Sequence, residues 1–268
     1  CIARRPHAEN THMLRLIHAT VAYGDFKNPY QRVLALFFPR VHRRAHEPGR
    51  VVLSDVTLQL TRGAALAVLG DADALFRLIA GEVSCSEGTA EIRGRVMRAD
   101  GGEALLPFLS GRGNARLLAR LYGCNRQEVS ELLTIVEASA ALGDRFAAPV
   151  KRYSAEERAL LSLSVGLALH PDTLLIDGGL SALSPARLSA LLARLRAQML
   201  SGMCLLLHAP QEIASLICRR AVWIESGRVR RLGSFAEVAT ARRIARCQRR
   251  LMVCTPKSAF VGVAKARP

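Results

Sequence analysis

The sequence predicts an α/β fold in which a mixed sheet has helices on both faces, together with a small antiparallel β subdomain and a helical subdomain. Three short apolar runs, residues 64–69, 174–176 and 204–207, are typical of strands buried in a parallel sheet. Between these runs, apolar residues recur at helical spacing over residues 156–169 and 188–200. Strands that alternate with helices need crossover connections, and such connections indicate the α/β class.

The first part of the chain contributes strands and one helix. Residues 14–23 and 51–60 alternate between apolar and polar side chains, as half-buried strands do. Gly70 ends the first buried run, and residues 74–80 then show the pattern of a helix. A second small β region follows, which is punctuated by glycines at positions 81, 88 and 94.

The second part of the chain is more helical. Periodicity over residues 114–142 predicts helices, which together with the buried helix form a helical subdomain at about residues 105–168. A further helix is predicted over residues 213–220, before two strands at 222–225 and 229–232.

The net charge of +16 comes almost entirely from arginine, since lysine occurs only at positions 27, 151, 257 and 265. Two interpretations stay open: attraction to an anionic surface, or a composition that is rich in arginine throughout. Residues 241–268 hold eight Arg or Lys and no acidic residue, so we expect a basic C-terminal tail there. No aromatic residues for base stacking are interleaved with the arginines at 242–250, so contact with anionic lipid is favoured over nucleic acid.

The seven cysteines are scattered, odd in number and never spaced as CxxC, which indicates reduced thiols in a cytoplasmic protein without a structural zinc site. The sequence contains no apolar run of the ~18 residues that a membrane span needs. Residues 1–12 precede the first strand, and we expect them to be a disordered or artefactual extension before a domain over residues 13–240.

Several segments resemble, in collinear order, the nucleotide-binding domain of ABC transporters, and more narrowly the exporters of capsule, O-antigen and teichoic-acid polysaccharides. They are EGTAEIRGRV (87–96), LSGRGN with ARLYG (109–123), PVKRYS (149–154), LLID (174–177) and CRRAVWIESGR (218–228). The resemblance covers about residues 13–240. It implies a P-loop NTPase-type fold that uses ATP and Mg²⁺.

The resemblance also implies partners and a location. The expected partners are an integral membrane permease of the ABC-2 type and a second ATPase subunit, in a homodimer or heterodimer at the inner face of the cell membrane. The insert at residues 28–50 resembles the extra helix of such exporters, which implies a gate-like amphipathic helix over residues 30–38. An ordinary surface helix is the alternative.

Five residues match positions that bind or hydrolyse ATP in the family. The resemblance assigns Tyr23 to adenine stacking, Gly70 to the phosphate loop and Ser154 to the signature motif. It also assigns Asp177 to Mg²⁺ if nucleotide binds, and His208 to the switch position that assists catalysis. The alternatives are structural roles, such as a strand-end aromatic for Tyr23 and local capping for Asp177 and His208.

The residues that hold the phosphates are missing. A phosphate loop reads G-x-x-x-x-G-K-[ST], in which backbone N–H groups and the lysine bind phosphate and the hydroxyl holds Mg²⁺. Here the segment reads LGDADALFRL (69–78), about four residues shorter than in the family, and the chain contains no Gly-Lys pair. Asp71 and Asp73 are expected to place negative charge where phosphate would lie, and Arg77 falls too late to replace the lysine.

The resemblance identifies further departures. Gly178 stands where the family has its catalytic glutamate, Leu106 where it has the loop glutamine, and Ser184 where it has the D-loop aspartate. The signature motif continues as Ala155-Glu156 instead of a small residue and glycine. The hypothesis is therefore an ATP-binding-type exporter subunit with lost or severely impaired hydrolysis, whose cofactors are ATP and Mg²⁺ if it binds any nucleotide, and which otherwise binds none. The alternatives are an active exporter ATPase and a basic module that binds membrane or nucleic acid.

Overall fold

Two β-sheets and the helices around them make up the described part of the chain. The computed structural model describes residues 12–23 and 50–254. The strands are β1 (His12–Tyr23), β2 (Arg50–Thr61), β3 (Ala65–Gly70), β4 (Glu87–Ile92), β5 (Val96–Ala99), β6 (Thr173–Asp177), β7 (Cys204–His208), β8 (Arg220–Glu225) and β9 (Arg228–Ser234). The helices are α1 (Asp73–Ile79), α2 (Gly111–Leu121), α3 (Arg126–Ala140), α4 (Ala155–Ala168), α5 (Pro185–Leu200), α6 (Gln211–Ala214) and α7 (Phe235–Cys254).

The larger sheet has six strands in the order β5-β6-β7-β3-β8-β9. Its first five strands pair in parallel, and β9 pairs antiparallel with β8 at one edge. The three apolar runs of the sequence are β3, β6 and β7 in the middle of this sheet, so the predicted parallel core is confirmed.

Helices cover both faces of this sheet, as the α/β prediction required. Val68 on β3 packs in a core that includes α1 and the smaller sheet. Its neighbours Ala67 and Leu69 pack in a second core with α4, α5 and α7. Both sets of side chains are almost fully buried, since successive residues of a strand point to opposite faces.

The smaller sheet is antiparallel, with the order β2-β1-β4. It uses the two alternating segments of the sequence together with a strand from the glycine-punctuated region. Leu14, Leu16, Leu58 and Leu60 turn their side chains into the core that this sheet shares with the larger one. The predicted antiparallel β subdomain is therefore confirmed.

A third core joins α2, α3 and α4 in the predicted helical subdomain. Its buried side chains begin at Leu105 and end at Leu169. The start of α3 is fixed by a capping box, in which Asn125 accepts hydrogen bonds from the N–H groups of Gln127 and Glu128.

Two helices differ from the sequence prediction. In place of the helix predicted over residues 213–220, the structure has the shorter helix α6, Gln211–Ala214, and a helix could not reach residue 220 because Arg220 already pairs with Leu66 and Ser234 as the first residue of β8. Helix α7 runs through residue 240, where the sequence predicted the boundary of a basic tail. It continues because Ala245, beyond that boundary, still packs against the core that buries Val238.

Some predictions concern residues outside the described part. They are residues 1–11 of the extension predicted over residues 1–12, the gate-like helix predicted over 30–38, and the part of the basic tail predicted over 241–268 that lies beyond residue 254. Among the described residues, the longest and most apolar helices still fall short of what a membrane crossing requires.

Candidate functional site

The residues of interest gather where the central parallel strands end. Gly70 ends β3, Asp177 ends β6 and His208 ends β7, and the last two are partners in the register of the sheet. Ligands of open α/β sheets bind beyond these carboxyl ends. The structure thus places three of the five sequence-predicted residues at the same edge of the sheet.

Asp177 has both carboxylate oxygens engaged. Its Oδ1 accepts a hydrogen bond from the imidazole Nδ1 of His208 at 3.0 Å, and its Oδ2 accepts one from Nη2 of Arg98 at 2.6 Å. The hydrogen bond from His208 lowers the pKa of Asp177 most; partial burial opposes this, and Arg98 lowers the pKa further. The carboxylate is therefore ionised at neutral pH and accepts hydrogen bonds from His208 and Arg98.

Arg98, on β5, is a residue that sequence reasoning missed. Its Nη2 lies 3.2 Å from Oδ1 of Asp73, and its Nη1 lies 3.5 Å from Oε1 of Glu82. One guanidinium thus joins the start of α1, the segment after α1 and the end of β6. The sequence does contain a signal for it, since Arg98 stands between apolar residues in the strand VMRA. A largely buried arginine needs carboxylate or hydrogen-bond partners nearby.

The turn after β3 contains only two residues before α1 begins. Gly70 adopts a φ of +103°, and a Cβ there would lie 2.0 Å from the carbonyl oxygen of Ile224. The N–H of Asp71 donates to this carbonyl at 3.0 Å, while its Oδ2 accepts from the N–H of Ser226 at 2.8 Å. Of the two carboxylates that the sequence predicted near a phosphate site, Asp71 accepts from the β8–β9 turn and Asp73 pairs with Arg98.

Ser154 and Glu156 serve as helix caps. Ser154 accepts a hydrogen bond from the N–H of Glu157 at 3.2 Å and completes a capping box at the start of α4. Glu156 accepts from the N–H of Ser184, the residue before α5, at 2.8 Å. This backbone hydrogen bond is the main reason why the pKa of Glu156 is lowered. Ser154 and Glu156 thus each accept a hydrogen bond at the start of a helix.

Glycines shape the floor of the cleft. Gly178 has a φ of +79° and its N–H donates to the carbonyl of His208 at 3.0 Å. A Cβ on the following Gly179 would lie 2.6 Å from the Cα of Gly101, so the loops after β5 and β6 touch at their backbones. The cleft is lined by side chains from the loop after β5, from the segment after α1 and from strands β5, β6 and β7, namely those of Glu82, Arg98, Asp100, Glu103, Asp177 and His208.

The remaining predicted residues lie elsewhere or are only partly described. Tyr23 is the last residue of β1, and its side chain lies outside the described part of the structure. Arg77 is on α1, where its Nε lies 3.2 Å from Oε2 of Glu82. Leu106 is half-exposed, and its backbone is held at both N–H and C=O by the side chain of Asn114. Within the described ranges, the structure groups no three His, Cys, Asp or Glu side chains in a way that could hold a metal ion.

Comparison with known proteins places this geometry in a family. The chain is 30% identical over 191 residues to the O-antigen export system ATP-binding protein RfbB of Klebsiella pneumoniae, covering 69% of the chain and 77% of that protein. It is 32% identical over 178 residues to the taurine import ATP-binding protein TauB of Pseudomonas aeruginosa, covering 61% of the chain and 68% of that protein. The chain matches no protein-family model.

A longer but more distant match extends over most of the chain. It is 25% identical over 232 residues to the teichoic acids export ATP-binding protein TagH of Levilactobacillus brevis, covering 84% of the chain. The chain spans only 63% of the length of that relative.

A solved structure, described as the ATP-binding subunit of an ABC transporter, shares the fold. It superposes with a TM-score of 0.69 at 19% identity, over 90% of this chain and 99% of that one. The predicted P-loop NTPase-type fold is therefore confirmed. Together with the identity to the export and import proteins, this shows that the chain belongs to the family of ATP-binding subunits of ABC transporters.

Proposed function

We propose that this chain is a subunit of a polysaccharide ABC exporter that has lost ATP hydrolysis and acts as a structural or regulatory pseudo-ATPase. The observation that carries the proposal is the two-residue turn between Gly70 and Asp73. A phosphate-binding loop in this fold wraps the nucleotide with successive backbone N–H groups and a lysine. A turn of two residues offers few such groups, and one of them, the N–H of Asp71, already donates to Ile224.

The groups that would hold Mg²⁺ and activate water also argue against turnover. A Mg²⁺ ion bound to Asp177 would lie beside the guanidinium of Arg98, whose Nη2 is 2.6 Å from Oδ2, and the two positive charges would repel each other. The next residue, Gly178, has no side chain with which to orient a water molecule. The residues present therefore do not fit Mg·ATP, and we derive no catalytic step from them.

The polysaccharide class rests on relatives and motifs. RfbB and TagH are named for O-antigen and teichoic-acid export, and the segments at residues 109–123 and 149–154 resemble that subfamily. The taurine importer matches over a shorter part of this chain. We therefore assign the substrate of the complex to the polysaccharide class.

A chain without turnover contributes to transport only beside an intact ATPase, so we propose a heterodimer with such a subunit and a permease of the ABC-2 type. The described surface offers an apolar patch for the permease near the start of α2. Leu106 and Leu109 are partly exposed, and Phe108 is 79% exposed. Exposed apolar side chains that lie together mark interaction sites. This assembly would hold the chain at the inner face of the membrane.

The test is nucleotide binding followed by turnover. We expect calorimetry with millimolar Mg·ATP to show no binding, and the purified chain to release no phosphate. Binding without turnover would still fit a pseudo-ATPase, but it would show that the two-residue turn does not prevent nucleotide binding. Turnover that Asp177→Asn abolishes would overturn the proposal in favour of an active exporter ATPase.

A second candidate function, contact with anionic lipid, is favoured by the outer face of α7. Arg243 and Arg246 are exposed and three residues apart, so they lie on the same side of the helix. Neither forms an ion pair within the described residues, and Ile244, which is 52% exposed, lies beside them. Arginines around an exposed apolar side chain are typical of helices that lie on a membrane surface.

A further inference from the structure

We propose that helix α7 carries a binding site for a phosphate group, formed by Arg242 and Arg246 where the helix passes the end of strand β8. The ligand is a phosphate monoester or a pyrophosphate, either free in solution or carried on a lipid headgroup. This inference goes beyond the proposed function and does not depend on whether the chain hydrolyses ATP.

The side of α7 that faces the body of the protein changes from apolar to basic along the helix. Val238 is fully buried in the core, and Ala245 packs against the same core. Arg242 follows Val238 by four residues and precedes Ala245 by three, so its side chain leaves the helix on this inner side. Arg249, four residues after Ala245, reaches Oε1 of Glu225 with its Nη2 at 2.5 Å. The core-facing positions of the helix thus continue as arginines.

Arg242 is partly buried, and none of the ion pairs among the described residues includes it. Burial lowers the pKa of its guanidinium, and the positive charge of Arg246 lowers this pKa further. The carboxylates of Glu225 and Asp71 act in the opposite direction from a longer distance. A charge that is partly withdrawn from water without a direct partner is costly, and a bound anion would relieve that cost.

The two carboxylates near Arg242 are already engaged by other groups. Glu225 pairs through Oε1 with Arg249, and its Oε2 lies 3.6 Å from Nε of Arg230. Asp71 accepts a hydrogen bond from the N–H of Ser226 at 2.8 Å with its Oδ2. The arginines beside the end of β8 therefore outnumber the carboxylates that face them, and the excess positive charge is left to an anion from outside the chain.

The spacing of the two arginines favours a phosphate group over a carboxylate. Arg242 and Arg246 are four residues apart on the helix, which places their Cβ atoms about 5–6 Å from each other. Each guanidinium presents a planar fork of N–H groups that fits pairs of phosphate oxygens. A phosphate monoester offers three free oxygens and a charge of about two, so it can serve both arginines at once.

The experiment is a calorimetric titration with inorganic pyrophosphate in magnesium-free buffer at low ionic strength. We expect the unaltered chain to bind one pyrophosphate with a dissociation constant of about 1 mM or below, and Arg242→Gln to bind about tenfold more weakly or worse. The matched control is Arg243→Gln, which makes the same change at the next position. That arginine is exposed and leaves the helix in another direction, so we expect a change of about twofold or less. Pyrophosphate binding that Arg242→Gln leaves unchanged would overturn the inference.

Glu225→Gln tests the site in the opposite direction, and it also decides the case in which Arg242→Gln does not fold. It removes the carboxylate that Arg230 and Arg249 share, so their guanidiniums become available to a ligand. We expect pyrophosphate to bind about threefold more tightly or better, because a competing negative charge is lost. A purely structural role of the arginines predicts no such gain, and weaker binding by Glu225→Gln would overturn the inference.

Vesicles distinguish a lipid-borne phosphate from a free one. Phosphatidic acid exposes a phosphate monoester, whereas phosphatidylglycerol carries a diester with one charge. If the ligand is a lipid headgroup, the chain should sediment preferentially with phosphatidic acid vesicles at equal surface charge, and Arg242→Gln should lose this preference while Arg243→Gln keeps it. A chain that shows neither this preference nor pyrophosphate binding would overturn the inference.

A titration with Mg·ATP separates this inference from the proposed function. The metal ion already binds the terminal phosphates of that nucleotide, so we expect it not to compete with pyrophosphate for the arginines. Mg·ATP binding that persists in Arg242→Gln would count against the proposed function alone. Loss of pyrophosphate binding in Arg242→Gln would still support the site on α7.

Discussion

Asp177 and His208 are partners in the register of two neighbouring parallel strands, and their side chains meet at 3.0 Å beyond the ends of those strands. In a working cassette, the resemblance would give these residues to Mg²⁺ and to the switch position. Here they bind each other, and Arg98 binds the remaining carboxylate oxygen. These residues therefore hydrogen-bond to one another at the end of the sheet.

The first prediction concerns stability against pH. The pKa of Asp177 is lowered in the folded chain, chiefly by the hydrogen bond from His208, so its ionised form stabilises the fold. This contribution is present above the unfolded pKa of about 3.9 and is lost as pH falls through the lower folded value. We expect Asp177→Asn to lower the free energy of unfolding by about 1–3 kcal/mol at pH 7 and by less at pH 3.

Urea unfolding at several pH values would measure this difference. The control is Glu87→Gln, which removes a carboxylate from the exposed strand β4. A constant difference between Asp177→Asn and the unaltered chain from pH 7 to pH 3 would contradict the assignment.

The second prediction concerns the short turn. Gly70→Ala would place a Cβ 2.0 Å from the carbonyl oxygen of Ile224 at a φ of +103°, so the backbone of the turn or of β8 must move. We expect a loss of about 3 kcal/mol or more in the free energy of unfolding. Gly81→Ala is the matched control, because Gly81 also has a positive φ but open space around its Cβ. It should cost about 1 kcal/mol, and similar costs for the two variants would show that the turn is not tightly packed against β8.

The third prediction concerns the repair of catalysis. Gly178→Glu restores the missing carboxylate, but we expect no phosphate release, because the turn after Gly70 still lacks a phosphate loop. A variant in which an eight-residue G-x-x-x-x-G-K-T loop replaces residues 70–73 should bind Mg·ATP, with calorimetry as the measurement. Measurable turnover by Gly178→Glu alone would mean that nucleotide already binds.

Much of the fold followed from the sequence, because burial imposes readable patterns. The apolar runs that became β3, β6 and β7 are buried on both faces, and a short continuous apolar run is what such burial requires of a strand. The helix predicted over residues 213–220 was partly wrong, although it rested on a similar pattern. Ala214 and Cys218 are buried four residues apart as in a helix, but Arg220 is already in β8. Local spacing cannot reveal where pairing with a distant strand begins.

The site was harder to predict because its interactions join residues that are far apart in sequence. The resemblance pointed to Asp177 and His208, which the sheet does bring together. It did not point to Arg98, because no family motif includes that position and its three partners lie 16, 25 and 79 residues away. The orientation of the Asp71 side chain could not be predicted either. It is set by a hydrogen bond from the N–H of Ser226 in the β8–β9 turn, which is 155 residues away in sequence.

The last prediction concerns the outer face of α7. We expect the chain to sediment with vesicles that contain anionic phosphatidylglycerol and not with neutral phosphatidylcholine vesicles. Each basic residue near such a surface contributes about 1 kcal/mol, so Arg243→Gln with Arg246→Gln should weaken partitioning by roughly 30-fold at low salt. The control pair, Arg15→Gln with Arg93→Gln, removes the same charge from exposed positions on and beside the smaller sheet and should change partitioning far less. Equal losses for the two pairs would assign vesicle binding to overall charge, and retention on duplex DNA with no vesicle binding would assign the helix to nucleic acid.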